Sequence, residues 1–229
     1  MHETDLSRTM RQALLPRNAP RVEGYDVGAG TMVEERGRAA TIWDWLVLPD
    51  GRTALVTLNV RADGLPPAIH LATVRGVLRA VVADGGGLDK VLPRINAVMC
   101  ACAADDEGQH VECGMLVVDG QSAEWASAGR VPCGVIRRGG AFEELGSHGP
   151  PLGMMEGVQY GSERLAMSAG DTAIVLSHAS AGLFRGAADL VAQIHGKPAG
   201  DVVSTLHRGI RKAQGENPEE ISVLFVRKH

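Results

Sequence analysis

The strands and helices of this 229-residue chain come in separate runs, and that order limits the folds open to it more than any single motif does. Alternating apolar residues predict strands over about 23–34, 38–48 and 53–60, with the turn Pro49-Asp50-Gly51-Arg52 between the last two, so this part reads as an antiparallel meander. Two helical patterns follow, Pro66 to Ala83 and Leu88 to Ala103, parted by Asp84-Gly85-Gly86-Gly87, a run that no helix tolerates cheaply. Between about 110 and 178 short strands return and should build a second antiparallel sheet; two more helices (about 184–195 and 199–213) and a closing strand, ISVLFVRK, complete the order. Before them all, Leu6, Met10, Ala13 and Leu14 fall at helical spacing in an entry helix within residues 1–16, which stops at Pro16. Strand runs set apart from helix pairs, without βαβ alternation, predict an α+β chain in which two antiparallel sheets are flanked by helix pairs. No repeat or linker divides the sequence, so residues 1–229 read as one domain.

Composition removes several functional classes. Hydrophobic residues make up 45% of the chain, yet no apolar run nears the roughly eighteen residues of a membrane span, so no membrane association is expected. The net charge of −4 gives no broad basic surface for nucleic acid. The polar start, MHETDLSRTM, lacks the basic-then-apolar order of a secretory signal, which predicts a cytoplasmic protein. Cys100, Cys102, Cys113 and Cys133 form no Cys-x-x-Cys pair and read as free, mostly buried thiols rather than a zinc site.

Six local phrases then occur in order: MRQALLP, LPDGRTALVTLNV, ASAGRVP, PPLG, MSAGDTAIVLSH and EEISVLFVRK. Together they resemble the metal-dependent PPM-type (type 2C) serine/threonine phosphatases, in the bacterial branch typified by stage II sporulation protein E. The resemblance implies an αββα sandwich in which two Mg²⁺ or Mn²⁺ ions, held by strand-end aspartates, activate water against a phosphoserine or phosphothreonine.

The acids of that pattern are largely missing. Its Gly-Gly-Asp-x-x-Asp falls on Ala39-Ala40-Thr41-Ile42-Trp43-Asp44, so Thr41 stands at the first metal position and only Asp44 survives. Its bridging Asp falls on Asn59, its Thr-Asp-Gly acid on His178, and its closing pair on Glu219 and Glu220. Two divalent ions need several anionic oxygens, whereas Thr41, Asn59 and His178 supply no carboxylate. Arg11 replaces the Gln of the entry motif and Arg130 the His of the Asn-Ala-Gly-His turn.

Each residue also has a plainer role. Asn59 suits a turn whose amide bonds the following loop. His178 has no second histidine close in sequence. Alternation puts Trp43 and Trp45 on one face and Asp44 on the other, as a buried acid bonded within its hairpin. Glu219-Glu220 and the Asp105-Asp106-Glu107 cluster read as solvated turns, and Arg130 as a loop residue facing water. The leading functional reading is a phosphatase-like module that has lost or largely lost phosphatase activity, with no cofactor expected, and that binds a protein partner in bacterial signalling: an anti-sigma-factor antagonist or similar phosphoprotein. The alternative is a weak phosphatase using Mn or Mg at a site rebuilt from Asp44, His178 and Glu219 or Glu220. A third reading is a homodimer assembled through the entry helix, with Leu6 and Met10 at the interface.

Overall fold

The computed structural model describes residues 3–32, 39–61, 66–102, 110–146, 148–177, 194, 196–214 and 220–229. In chain order these carry α1 (Glu3–Leu14), β1 (Tyr25–Met32), β2 (Ala39–Val47), β3 (Thr53–Arg61), α2 (Pro66–Ala83), α3 (Leu88–Cys102), β4 (Val111–Val118), β5 (Ala123–Ala128), β6 (Cys133–Ile136), β7 (Phe142–Leu145), β8 (Glu163–Leu165), β9 (Thr172–Leu176), α4 (Ala199–Gln214) and β10 (Ile221–Lys228). The expected helix over 184–195 falls, apart from Ile194, outside the described residues.

Two five-stranded antiparallel sheets stack face to face, ordered β1-β10-β9-β6-β7 and β2-β3-β4-β5-β8. The fold class is therefore the expected one, but the strands are shared out differently. The meander breaks after β1: this strand pairs with β10 in the other sheet, Tyr25 opposite Lys228, rather than with β2. Likewise β4, β5 and β8 extend the sheet of β2 and β3, while β6, β7 and β9 join β1 and β10. Alternation fixes which face of a strand is buried and is silent on which strand lies beside it.

Three apolar layers follow from these faces. Ile42, Val56 and Leu58 meet Leu71, Leu78, Leu92 and Ile95 beneath α2 and α3. Trp43, Leu55, Leu116, Trp125, Leu224 and Val226 fill the space between the sheets. Val223 and Phe225 pack against Val202, Leu206 and Ile210 of α4. Helix α4 can lie flat on β1 because of two glycines there: a Cβ on Gly28 would sit 2.9 Å from the Ala199 carbonyl oxygen, and one on Gly30 would sit 2.8 Å from Val203 Cγ1.

The hairpin between β2 and β3 closes on Leu48–Gly51, where the Gly51 N–H donates to the Leu48 carbonyl over 2.9 Å and Gly51 adopts a φ of 86°. The left-handed conformation explains the glycine after Asp50. No helix among the described residues is long and apolar enough to cross a membrane.

Candidate functional site

Of the positions where the motif pattern calls for metal-binding acids, Thr41, Asn59 and Glu220 meet between the two sheets. Thr41 on β2 pairs in register with Asn59 on β3, and Asn59 with Glu112 on β4. Facing them from the other sheet, Ser222 on β10 pairs with Thr31 on β1. Glu220 sits just before β10, and Ser177 just after β9.

Protein groups take up the polar valences of this region. The Thr41 hydroxyl donates to the Leu58 carbonyl over 3.0 Å and lies 3.2 Å from Ser222 Oγ, which is itself 2.7 Å from the Thr31 hydroxyl. Ser177 and Ser222 are tied twice, the Ser222 N–H donating to Ser177 Oγ over 3.0 Å and the Ser177 N–H to the Ser222 carbonyl over 2.9 Å. Glu220, only 1% exposed, accepts the Thr41 N–H on Oε1 over 3.1 Å, and its Oε2 lies 3.0 Å from Nη2 of Arg11. A buried carboxylate needs a partner of opposite charge, and here α1 supplies it. Asn59 is fully buried and donates from Nδ2 to Glu112 Oε2 over 2.8 Å, while Glu112 Oε1 accepts the Arg130 N–H over 3.4 Å. Asn59 Oδ1 has no hydrogen-bond partner among the described residues.

Asp44 belongs to another neighbourhood. Thr41 reaches across to Ser222, so odd positions of β2 face the opposite sheet; even positions face α2, and Asp44 with them. There Asp44 Oδ2 lies 2.8 Å from Arg75 Nε and Oδ1 lies 2.7 Å from Arg79 Nη2. The two indoles share the inter-sheet layer, as alternation predicts. Asp44 and Glu220 thus sit on opposite faces of one sheet and cannot share an ion. His178 and Glu219 lie outside the described residues, as do Asp105, Asp106 and Glu107.

The described donors do not suit two hard divalent cations. One carboxylate is bound to a guanidinium and the other is capped by an amide N–H; the remaining oxygens are neutral hydroxyls and one amide carbonyl. Among the described residues no three His, Cys, Asp or Glu side chains cluster as metal ligands would. Among the described residues Asn59 Oδ1 and Thr57 Oγ1 are buried without a hydrogen-bond partner, and two neutral oxygens make weak ligands for such ions.

Two residues of this site were not singled out by sequence reasoning for the part they play. In the sequence Arg11 stands out only as a replacement for Gln, with nothing to mark it as the cation of Glu220; Glu112 gives only the weak signal of an acid inside an apolar strand. Elsewhere the motif residues hold turns. In the SAGD phrase burial opposes ionisation of Asp171, but the N–H groups of Ser168 and Arg138 and the Arg137 guanidinium hold its carboxyl below the usual range. Cys113 is buried with its thiol pushed up to about 12 by desolvation, and Cys133 is raised the same way; Cys102, by contrast, is exposed.

Residues 49–229 match the family model described as Stage II sporulation protein E (SpoIIE). Among solved structures, the SiaA-PP2C domain of Pseudomonas aeruginosa superposes with a TM-score of 0.75 at 15% identity, over 99% of this chain and 96% of that one. The serine/threonine phosphatase of S. agalactiae gives 0.74 at 15% identity, over 90% of this chain and 100% of that one. The RsbU and RsbW domains of Rv1364c from Mycobacterium tuberculosis give 0.72 at 19% identity; 92% of this chain is covered, but only 63% of that one. No curated protein matches the chain in sequence.

Proposed function

The chain belongs to the stage II sporulation protein E family of PPM-type phosphatases, and from that premise we propose that it is a regulatory module that binds a protein partner without hydrolysing phosphate. The observation that carries this reading is the Arg11 guanidinium at Glu220: a side-chain cation stands against the one closing-pair acid described between the sheets, beside Thr41 and Asn59 in place of two metal-binding aspartates. Two divalent ions placed there would face a fixed positive charge and too few anionic oxygens. The proposed partner is an anti-sigma-factor antagonist or a similar signalling phosphoprotein, recognised by surface rather than turnover. Work of this kind is done in the cytoplasm.

The test is hydrolysis of p-nitrophenyl phosphate and of a phosphoserine peptide in millimolar Mn²⁺, alongside calorimetric binding of an antagonist domain in both phosphorylation states. The proposal expects saturable binding with the phosphate left intact. Mn²⁺-dependent turnover that disappears in Glu220→Ala contradicts it.

The unpartnered Asn59 oxygen favours one second reading, a weak phosphatase with a single rebuilt metal site. Asp44 is held by Arg75 and Arg79 on the far face of β2, so among the described residues that site would draw on Asn59 and Glu220 instead. A homodimer through α1 has its own support, since Leu6 and Met10 are only partly buried within the chain. Light scattering that shows a dimer in the native protein and a monomer after Leu6→Glu and Met10→Glu would establish it.

A further inference from the structure

On the helix side of β2, away from the inter-sheet region, a surface pocket of about 390 Å³ opens between the end of β2 and the second half of α2, with Pro16 at its edge. Its floor is the fully buried Asp44, and two guanidiniums from α2, one helical turn apart, reach over it. Two positive charges so placed repel each other, and Asp44 balances only one of them.

The hydrogen bonding shows what is left over. Arg79 spends Nε and Nη2 on Asp44, and Nη2 also reaches the Trp45 carbonyl at 3.3 Å. Arg75 meets Asp44 as an ion pair, its Nε 2.8 Å from Oδ2 but with no hydrogen bond between them. Among the described residues nothing engages the two terminal nitrogens of Arg75 or Nη1 of Arg79. These side chains are 26% and 44% exposed, so their free donors are open to a ligand. Asp84, next to the pocket-lining Ala83, is taken by Arg94 and does not supply the missing anion.

The same contacts decide how a partner could dock. β2 is the edge strand of its sheet, which invites an added strand. At Trp45, however, the outward N–H donates to Asp44 Oδ1 over 2.9 Å and the carbonyl accepts from Arg79, so this stretch of edge is already capped. A partner here must be held by its side chains. The unused terminal fork of Arg75 matches a carboxylate in shape, and the surplus of one charge matches a monoanion better than a phosphoryl dianion. Val47, 60% exposed at the rim, offers an apolar contact beside it.

We propose that this pocket captures an Asp or Glu side chain of a partner protein segment, with an apolar neighbour of that residue resting on Val47. The site stands apart from the inter-sheet region, so it holds whether or not that region hydrolyses phosphate. The probe is a fluorescein-labelled peptide of repeating Glu-Leu-Ser, compared by anisotropy with its Gln-Leu-Ser and phosphoserine-Leu-Ser counterparts. The Glu peptide should bind saturably, the Gln peptide at least about tenfold more weakly, and the phosphoserine peptide no more tightly than the Glu peptide. Arg75→Gln should weaken the Glu peptide about tenfold, and Val47→Glu, on an exposed side chain, should do the same by repulsion without lowering the melting temperature. Failure of the Glu peptide to bind, binding indifferent to both variants, or a clear preference for phosphoserine would each overturn the proposal.

Discussion

Replacing Arg11 by Ala separates its role as a counter-ion from its role as a surface residue. In the native protein Glu220 is 1% exposed and its cation 14% exposed, so the pair is nearly dry. Breaking such a pair from one side costs about 3–5 kcal/mol, because the surviving charge keeps its desolvation penalty and loses its partner. Here the loss should fall at or below the bottom of that range, about 2–3 kcal/mol, since the Thr41 N–H still donates to Glu220 and the vacated space borders solvent. Helix propensity works the other way, because Ala is at least as good as Arg inside a helix. For a chain of this size each kcal/mol moves the melting temperature by about 2–4 °C, so the variant should melt about 4–12 °C lower by scanning fluorimetry. Removing the stranded charge in Arg11→Ala with Glu220→Gln should recover part of that loss. A drop below about 2 °C, or a double variant no better than the single, would show that Arg11 does not neutralise Glu220 and would remove the main support for a protein-borne cation at this position.

Three further outcomes follow from the same geometry. Asn59→Asp replaces an N–H···O bond to Glu112 with two facing carboxylates and should cost about 1–3 kcal/mol, read as a lower melting temperature in EDTA; an unchanged value would mean that the Asn59–Glu112 bond contributes nothing. Asp171 has a folded-state pKa below its ordinary value of 3.8, so its stabilisation is complete above that value and disappears as pH falls through the lower, folded pKa. Urea titrations of wild type and Asp171→Asn should therefore converge in acid and separate above about pH 4, and a gap independent of pH would contradict the assignment. Gly30→Val forces a side chain into the space held by Val203 and should lift α4 from the sheet, costing about 1–3 kcal/mol; a neutral result would mean that the helix has slack there.

How much of this could be read in advance depended on the range of the interaction. Trp43, Asp44 and Trp45 assort to faces as strict alternation requires, because the pleat is a local property. Glycines 51, 85 and 86 mark turns for an equally local reason, positive φ. The placement of β1 beside β10 was not legible, since both strands carry the same alternation and only the assembled sandwich selects the partner. At the site, the neutral residues at 41 and 59 announced the missing acids in the sequence itself. That Arg11 would meet Glu220 was hidden, because the two lie far apart in sequence and either could have been a solvated charge. The carboxylate at 44 was hidden in the opposite sense: its motif position pointed to a metal, while arginines one helical turn apart on α2 claimed it.

The account turns on whether divalent ions bind between the sheets. Isothermal titration of the intact protein with Mn²⁺ and Mg²⁺ to millimolar concentration measures this directly, with a Mn²⁺-soaked crystal to locate any ion. The account predicts no saturable heat and no anomalous density beside Thr41, Asn59 and Glu220. Two ions seated there, with Arg11 displaced from Glu220, would contradict it.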